Sequence, residues 1–166
     1  MKRQSRIGIL ALMVMAGCAP PGSPVASDAA LPITALANQN QCGALDQPAV
    51  RWISDSGAWR ALYAQINRQR MNPPPPPPVD FPRAGVLLIA MGQRSTAGYG
   101  LALADEVATV RGGMLTVRVS WREPLPGARR AQVMTNPCLL ATLPDAGFTQ
   151  MQVLDQEGQV RLEGER

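Results

Sequence analysis

The sequence predicts a mainly β domain, an antiparallel sandwich or partly open barrel with one N-terminal amphipathic helix. Three observations predict it. Residues 114–121 alternate: Leu115, Val117, Val119 and Trp121 share one face, while Thr116, Arg118, Ser120 and Arg122 share the other, the period of a half-buried strand. Short apolar stretches recur through the second half of the chain with Gly, Pro and Asn between them, the spacing of sandwiches and barrels. One stretch alone has helical period, with Trp59, Leu62, Tyr63 and Ile66 at i, i+3, i+4 and i+7.

Residues 1–17 read as a signal peptide. Lys2, Arg3 and Arg6 precede an apolar run broken only by Gly8, and small residues follow at Ala16 and Gly17, the order of an export signal. The run is too short to cross a hydrocarbon core of about 30 Å. Met15-Ala16-Gly17-Cys18 resembles the lipobox of bacterial lipoproteins, with Met15 where Leu is usual. That resemblance implies cleavage after Gly17 and acyl chains on Cys18, and so a membrane anchor, since stable anchoring takes more than one chain. Ala19, rather than Asp, follows Cys18. In a Gram-negative host, the sorting rule of such lipoproteins implies the outer membrane, with the domain facing the periplasm.

Residues 18–40, rich in Ala, Pro, Ser and Asn, read as a flexible tether. Residues 41–166 read as a single domain. A short strand is expected at 47–53, then a helix over 56–70 capped by Ser54 or Ser56. The helix must stop before Pro73, because proline drives its predecessor out of the α region. Six consecutive prolines, 73–78, predict a stiff polyproline connector rising about 3 Å per residue. Residues 85–91 are apolar throughout, so a strand there is covered on both faces. A polar loop bounded by Gly92 and Gly98 leads into a strand at 99–104 with Tyr99, Leu101 and Leu103 on one face. Further strands are expected at 106–110, 114–121, 131–135 and 138–143. Strands at 148–154 and 159–162 would form a terminal hairpin around 155–158.

The charge balance changes once the leader is set aside. Lys2, Arg3 and Arg6 account for three of the sixteen basic residues, so thirteen arginines face twelve acidic residues, net +1. Such a balance gives no support to a nucleic-acid partner. The chain has no histidine, which excludes a Ser-His-Asp triad, a Cys-His pair and any histidine-based metal site. Asp105-Glu106 and Glu163/Glu165 are the nearest carboxylate pairs and read as solvated surface. Ser95 has no candidate base. The expectation is a protein without catalytic residues, cofactor or metal. With Cys18 lipidated, Cys42 and Cys138 remain, and an even remainder in an oxidising compartment reads as one disulfide. The alternative is two buried thiols or a redox pair, although no Cys-x-x-Cys spacing supports redox chemistry.

Val79-Asp80-Phe81, then Gly92-Gln93-Arg94-Ser95-Thr96-Ala97-Gly98-Tyr99, the strand 113–119, and Val133-Met134-Thr135-Asn136-Pro137-Cys138 together resemble the C-terminal domain of PrcB-like protease-complex lipoproteins. The resemblance spans residues 79–143, and Ala97 stands where that family often has glycine. It implies a non-enzymatic role in binding or assembling a partner envelope protein, a protease in the family's name. The residues themselves allow a docking loop. Gly92 and Gly98 permit positive φ, Thr96 can hold a turn, Arg94 adds charge, and Tyr99 offers an amphipathic contact. The loop from Gln93 to Tyr99 also resembles, more distantly, the Thr-Gly-aromatic loop of chagasin-like cysteine-protease inhibitors, and an inhibitor acting through it is the alternative function. Against both stands strand alternation, which turns Tyr99 inward with Leu101 and Leu103.

Overall fold

The computed structural model describes residues 28–43, 45–127 and 129–166, so the expected signal peptide and the expected lipidation site, Cys18, lie outside the described residues. Ten strands and one helix follow in the order β1 (Ala29–Pro32), β2 (Thr34–Gln39), β3 (Pro48–Ile53), α1 (Ser56–Ile66), β4 (Ala84–Met91), β5 (Gly100–Leu103), β6 (Val107–Arg111), β7 (Met114–Arg122), β8 (Cys138–Pro144), β9 (Gln150–Leu154) and β10 (Val160–Glu165). They form two sheets. The larger runs β1-β6-β7-β9-β10, with β5 also on β7; the smaller runs β2-β8-β4-β3. β7 and β9 pair in parallel, and the other named pairs are antiparallel. The molecule is a β-sandwich with a helix, as its alternation predicted.

β4 explains why this sheet has two covered faces. Leu87, Ile89 and Met91 enter the core between the sheets, while Val86, Leu88 and Ala90 enter a second core under α1. β8 divides the same way: Leu139, Ala141 and Leu143 face the sandwich, and Cys138 and Leu140 face the helix. The period-two pleat sends alternate residues to opposite faces, so a strand apolar at every position needs two apolar layers. The second layer comes from Trp59, Leu62, Tyr63 and Ile66 of α1, all buried. Val79 and Phe81, after the prolines, pack on it too. Trp59 Nε1 donates to the Pro77 carbonyl at 3.0 Å, which ties the proline rod to the helix.

Four expectations need correction. The tether was expected to run to residue 40, yet residues 29–39 carry β1 and β2. β1 pairs with β6 and β2 with β8, so the chain steps from one sheet to the other across buried Ile33. The helix ends at Ile66 rather than 70 because Asn67 turns inward. Its side-chain Nδ2 and its backbone N–H both donate to the Tyr63 carbonyl. The N-cap is Asp55, whose Oδ1 accepts the N–H groups of Gly57 and Ala58 at 2.9 and 2.8 Å, and neither flanking serine takes that role. Residues 131–135 are not a named strand; only Thr135 bridges, to Arg94.

The terminal hairpin forms as expected. Buried Asp155 organises it: Oδ1 accepts the N–H groups of Glu157 and Gln159, and Oδ2 accepts Arg161 Nε at 2.8 Å. Gly158 at φ +80° closes the three-residue turn. Burial pushes the Asp155 carboxyl up, but Gln159, Arg161 and Glu157 together hold it below its ordinary value. At the opposite corner Trp52 meets Phe148 edge-on with centroids 5.0 Å apart, and Arg166 lies over both rings while donating to Asp145.

Candidate functional site

The polar loop between β4 and β5 is held at both ends by backbone geometry. Gly92 has φ +76°, and a Cβ there would stand 2.7 Å from Pro48 N. Gly98 has φ +109°. Both glycines are therefore required by conformation. The loop does not project. Arg94 and Thr135 exchange backbone hydrogen bonds at 2.7 and 2.8 Å, and Ala97 N–H donates to the Ala131 carbonyl. The unpaired stretch 131–135 is thus used as a partner for the loop, which accounts for its missing place in a sheet. Thr96 contributes its carbonyl, which accepts Thr135 Oγ1 at 3.3 Å.

Tyr99 is half-buried and packs against the sandwich core, as strand alternation argued. The Arg94 guanidinium lies over its ring at 5.2 Å, close enough for attraction to the ring quadrupole. Arg94 Nε is buried without a hydrogen-bond partner. The structure therefore brings Arg94 and Tyr99 together as one unit and uses Gly92 and Gly98 as hinges of a pinned loop. Gln93 and Ser95 are its exposed side chains.

Cys42 and Cys138 form a disulfide with Cα atoms 6.0 Å apart, at the helix side of the smaller sheet. It joins the segment after β2 to the start of β8. Nearby, Asn136 Nδ2 donates to the Leu45 carbonyl and to Asp46 Oδ1. These bonds fix the loop that precedes β8 against the one that precedes β3. Among the described residues no helix is long and apolar enough to cross a membrane, and no group of three metal-ligating side chains gathers.

Sequence reasoning missed the residues that surround the loop. Arg122, at the end of β7, and Arg130, in the loop after it, both reach Gly98-Tyr99-Gly100. The signal was present in the Arg129-Arg130 doublet and in the two glycines flanking Tyr99, but only the fold brings them together.

Residues 86–144 match the family described as PrcB C-terminal. The match runs from within β4 to the end of β8, somewhat over a third of the chain, and includes the whole loop and its partner stretch. The resemblance seen in the sequence over 79–143 is borne out over that stretch. A search of curated proteins and a search of solved structures each find no match.

Proposed function

We propose that this chain is a non-enzymatic envelope lipoprotein, anchored through Cys18, that binds or helps assemble a partner envelope protein, a protease being the first candidate. The observation that carries the reading is the PrcB C-terminal match, which covers the loop with Arg94 and Tyr99 and the stretch that pins it. A rigid polar surface suits docking, because little conformational freedom is lost on binding. Its pinning to 131–135 favours such a surface over a projecting inhibitory loop.

The test is crosslinking of whole envelopes followed by capture of the tagged full chain. The expected result is a specific envelope protein, retained by wild type and lost on Thr96→Ala/Tyr99→Ala with the fold intact by circular dichroism. Equal retention by that variant would refute a role for the loop. Release of the chain from membranes by Cys18→Ser is the matching test of the anchor, and unchanged membrane association would refute it.

A further inference from the structure

Two arginines lie against the glycines that flank Tyr99. A Cβ on Gly100 would stand 2.7 Å from Arg122 Nη2, and one on Gly98 would stand 3.7 Å from Cδ and Nε of Arg130. The missing side chains let both guanidinium stems lie along the backbone. The Gly98 position also faces Pro124 at 3.2 Å. Next to Pro124 is Leu125, which is 75% exposed. Arg122, Ser120 and Asn38 line a cleft of about 160 Å³ with Gly100, Leu101 and Ala102.

The arginines here make no ion pair among the described residues. Among the described residues the ion pairs use Arg83, Arg118, Arg161 and Arg166, and none uses Arg94, Arg122, Arg129 or Arg130. Of the neighbouring carboxylates, Glu123 accepts Trp121 Nε1 and Asp46 accepts Asn136 Nδ2, and neither pairs with an arginine among the described residues. Arg122 and Arg130, both exposed, thus stand against the glycines flanking Tyr99 without an ion-pair partner among the described residues, with exposed Leu125 three residues beyond Arg122. Guanidinium forks match carboxylates in two-point geometry, and arginine is among the residues enriched at binding hot spots.

Asp28 Oδ1 accepts Gly112 N–H in the turn between β6 and β7. Arg122 stands at the far end of β7, a nine-residue strand, roughly 27 Å away at about 3.3 Å per residue. The arginine surface therefore lies at the end of β7 remote from Asp28.

We propose that the Gly98–Gly100 surface, with Arg122, Arg130 and Leu125, docks an acidic segment of a partner protein that carries an apolar side chain. The proposal rests on the partner-binding reading above and names the partner's chemistry. It is tested with a photocrosslinking residue at Leu125 in the full chain in envelopes, with Thr149, at the opposite end, as control position. The expected result is a protein adduct from position 125, mapped by mass spectrometry to a segment of net negative charge. Arg122→Glu/Arg130→Glu should lower its yield roughly tenfold at unchanged Tm, and Lys in place of those partner carboxylates should restore it. Should the Glu variant fail to fold, Arg122→Gln/Arg130→Gln is read for the same loss. Phospholipid adducts at 125, a neutral or basic mapped segment, or full yield from the charge variants would each overturn the proposal. Protein adducts from position 149 alone would overturn this surface and leave partner binding standing. No protein adduct from either position would overturn both.

Discussion

Gly85, at the start of β4, shows how finely one position is fixed. A Cβ there would come 2.3 Å from Trp52 Cζ2 and 2.7 Å from the Ile53 carbonyl. The indole lies where a side chain would be. Gly85→Ala should therefore cost about 1–3 kcal/mol, the usual range for overpacking, measured as a lower urea midpoint at constant m-value. Asp155 gives a pH-dependent counterpart. Its carboxyl is held below the ordinary carboxylate value in the folded state. The stability it contributes is then fully present above the unfolded pKa, near 3.9, and lost as pH falls through the lower folded value. Asp145, held low first by its hydrogen bond from Arg166, acts in the same direction. Acid titration should show wild-type stability falling below about pH 4, with Asp155→Asn less stable at neutral pH and less steep in its acid decline. An acid slope unchanged by the substitution would remove Asp155 from this account.

At the scale of elements, the helix depends on one cap. Asp55 satisfies two N–H groups of the first turn, and neither serine beside it does. Asp55→Ala should destabilise the domain by about 1 kcal/mol, while Ser54→Ala and Ser56→Ala should stay within about 0.5 kcal/mol of wild type; thermal unfolding of the three variants decides it. β4 and β8 are the strands covered on both faces, and β4 sits between β8 and β3 with both edges paired. Amide exchange should be slowest there and faster in β1 and β10, which have one open edge each. Equal protection across all strands would contradict that ranking.

For the whole molecule, the disulfide links the segment between β2 and β3 to β8 across 96 residues. Closing so long a loop restricts the unfolded chain far more than the folded one. Loss of the bond through Cys42→Ala/Cys138→Ala should cost about 2–5 kcal/mol, read from urea unfolding against the oxidised wild type. Dithiothreitol should lower wild type to the variant's midpoint and leave the variant unmoved.

Much of this arrangement was readable from residue order. The stripe of Trp59, Leu62, Tyr63 and Ile66, the alternation in β7 and the unbroken apolar run of β4 each encode which faces are covered, because side-chain direction follows local period. The parity of Cys42 and Cys138 anticipated their bond, and the Gly92-to-Tyr99 motif anticipated the family region. What period could not supply was pairing across long distances. β1 and β2 are rich in Ala, Pro and Asn, weak strand formers, and are strands because β6 and β8 offer them edges. Arg94, Arg122 and Arg130 are far apart in the chain and meet around Tyr99 only when β5 lies on β7 and the loop is pinned to 131–135. The sequence by itself determined which faces are apolar, and so the number of layers. Tertiary structure alone decided which edges meet and which arginines come together around Tyr99, since those depend on contacts that no local pattern records.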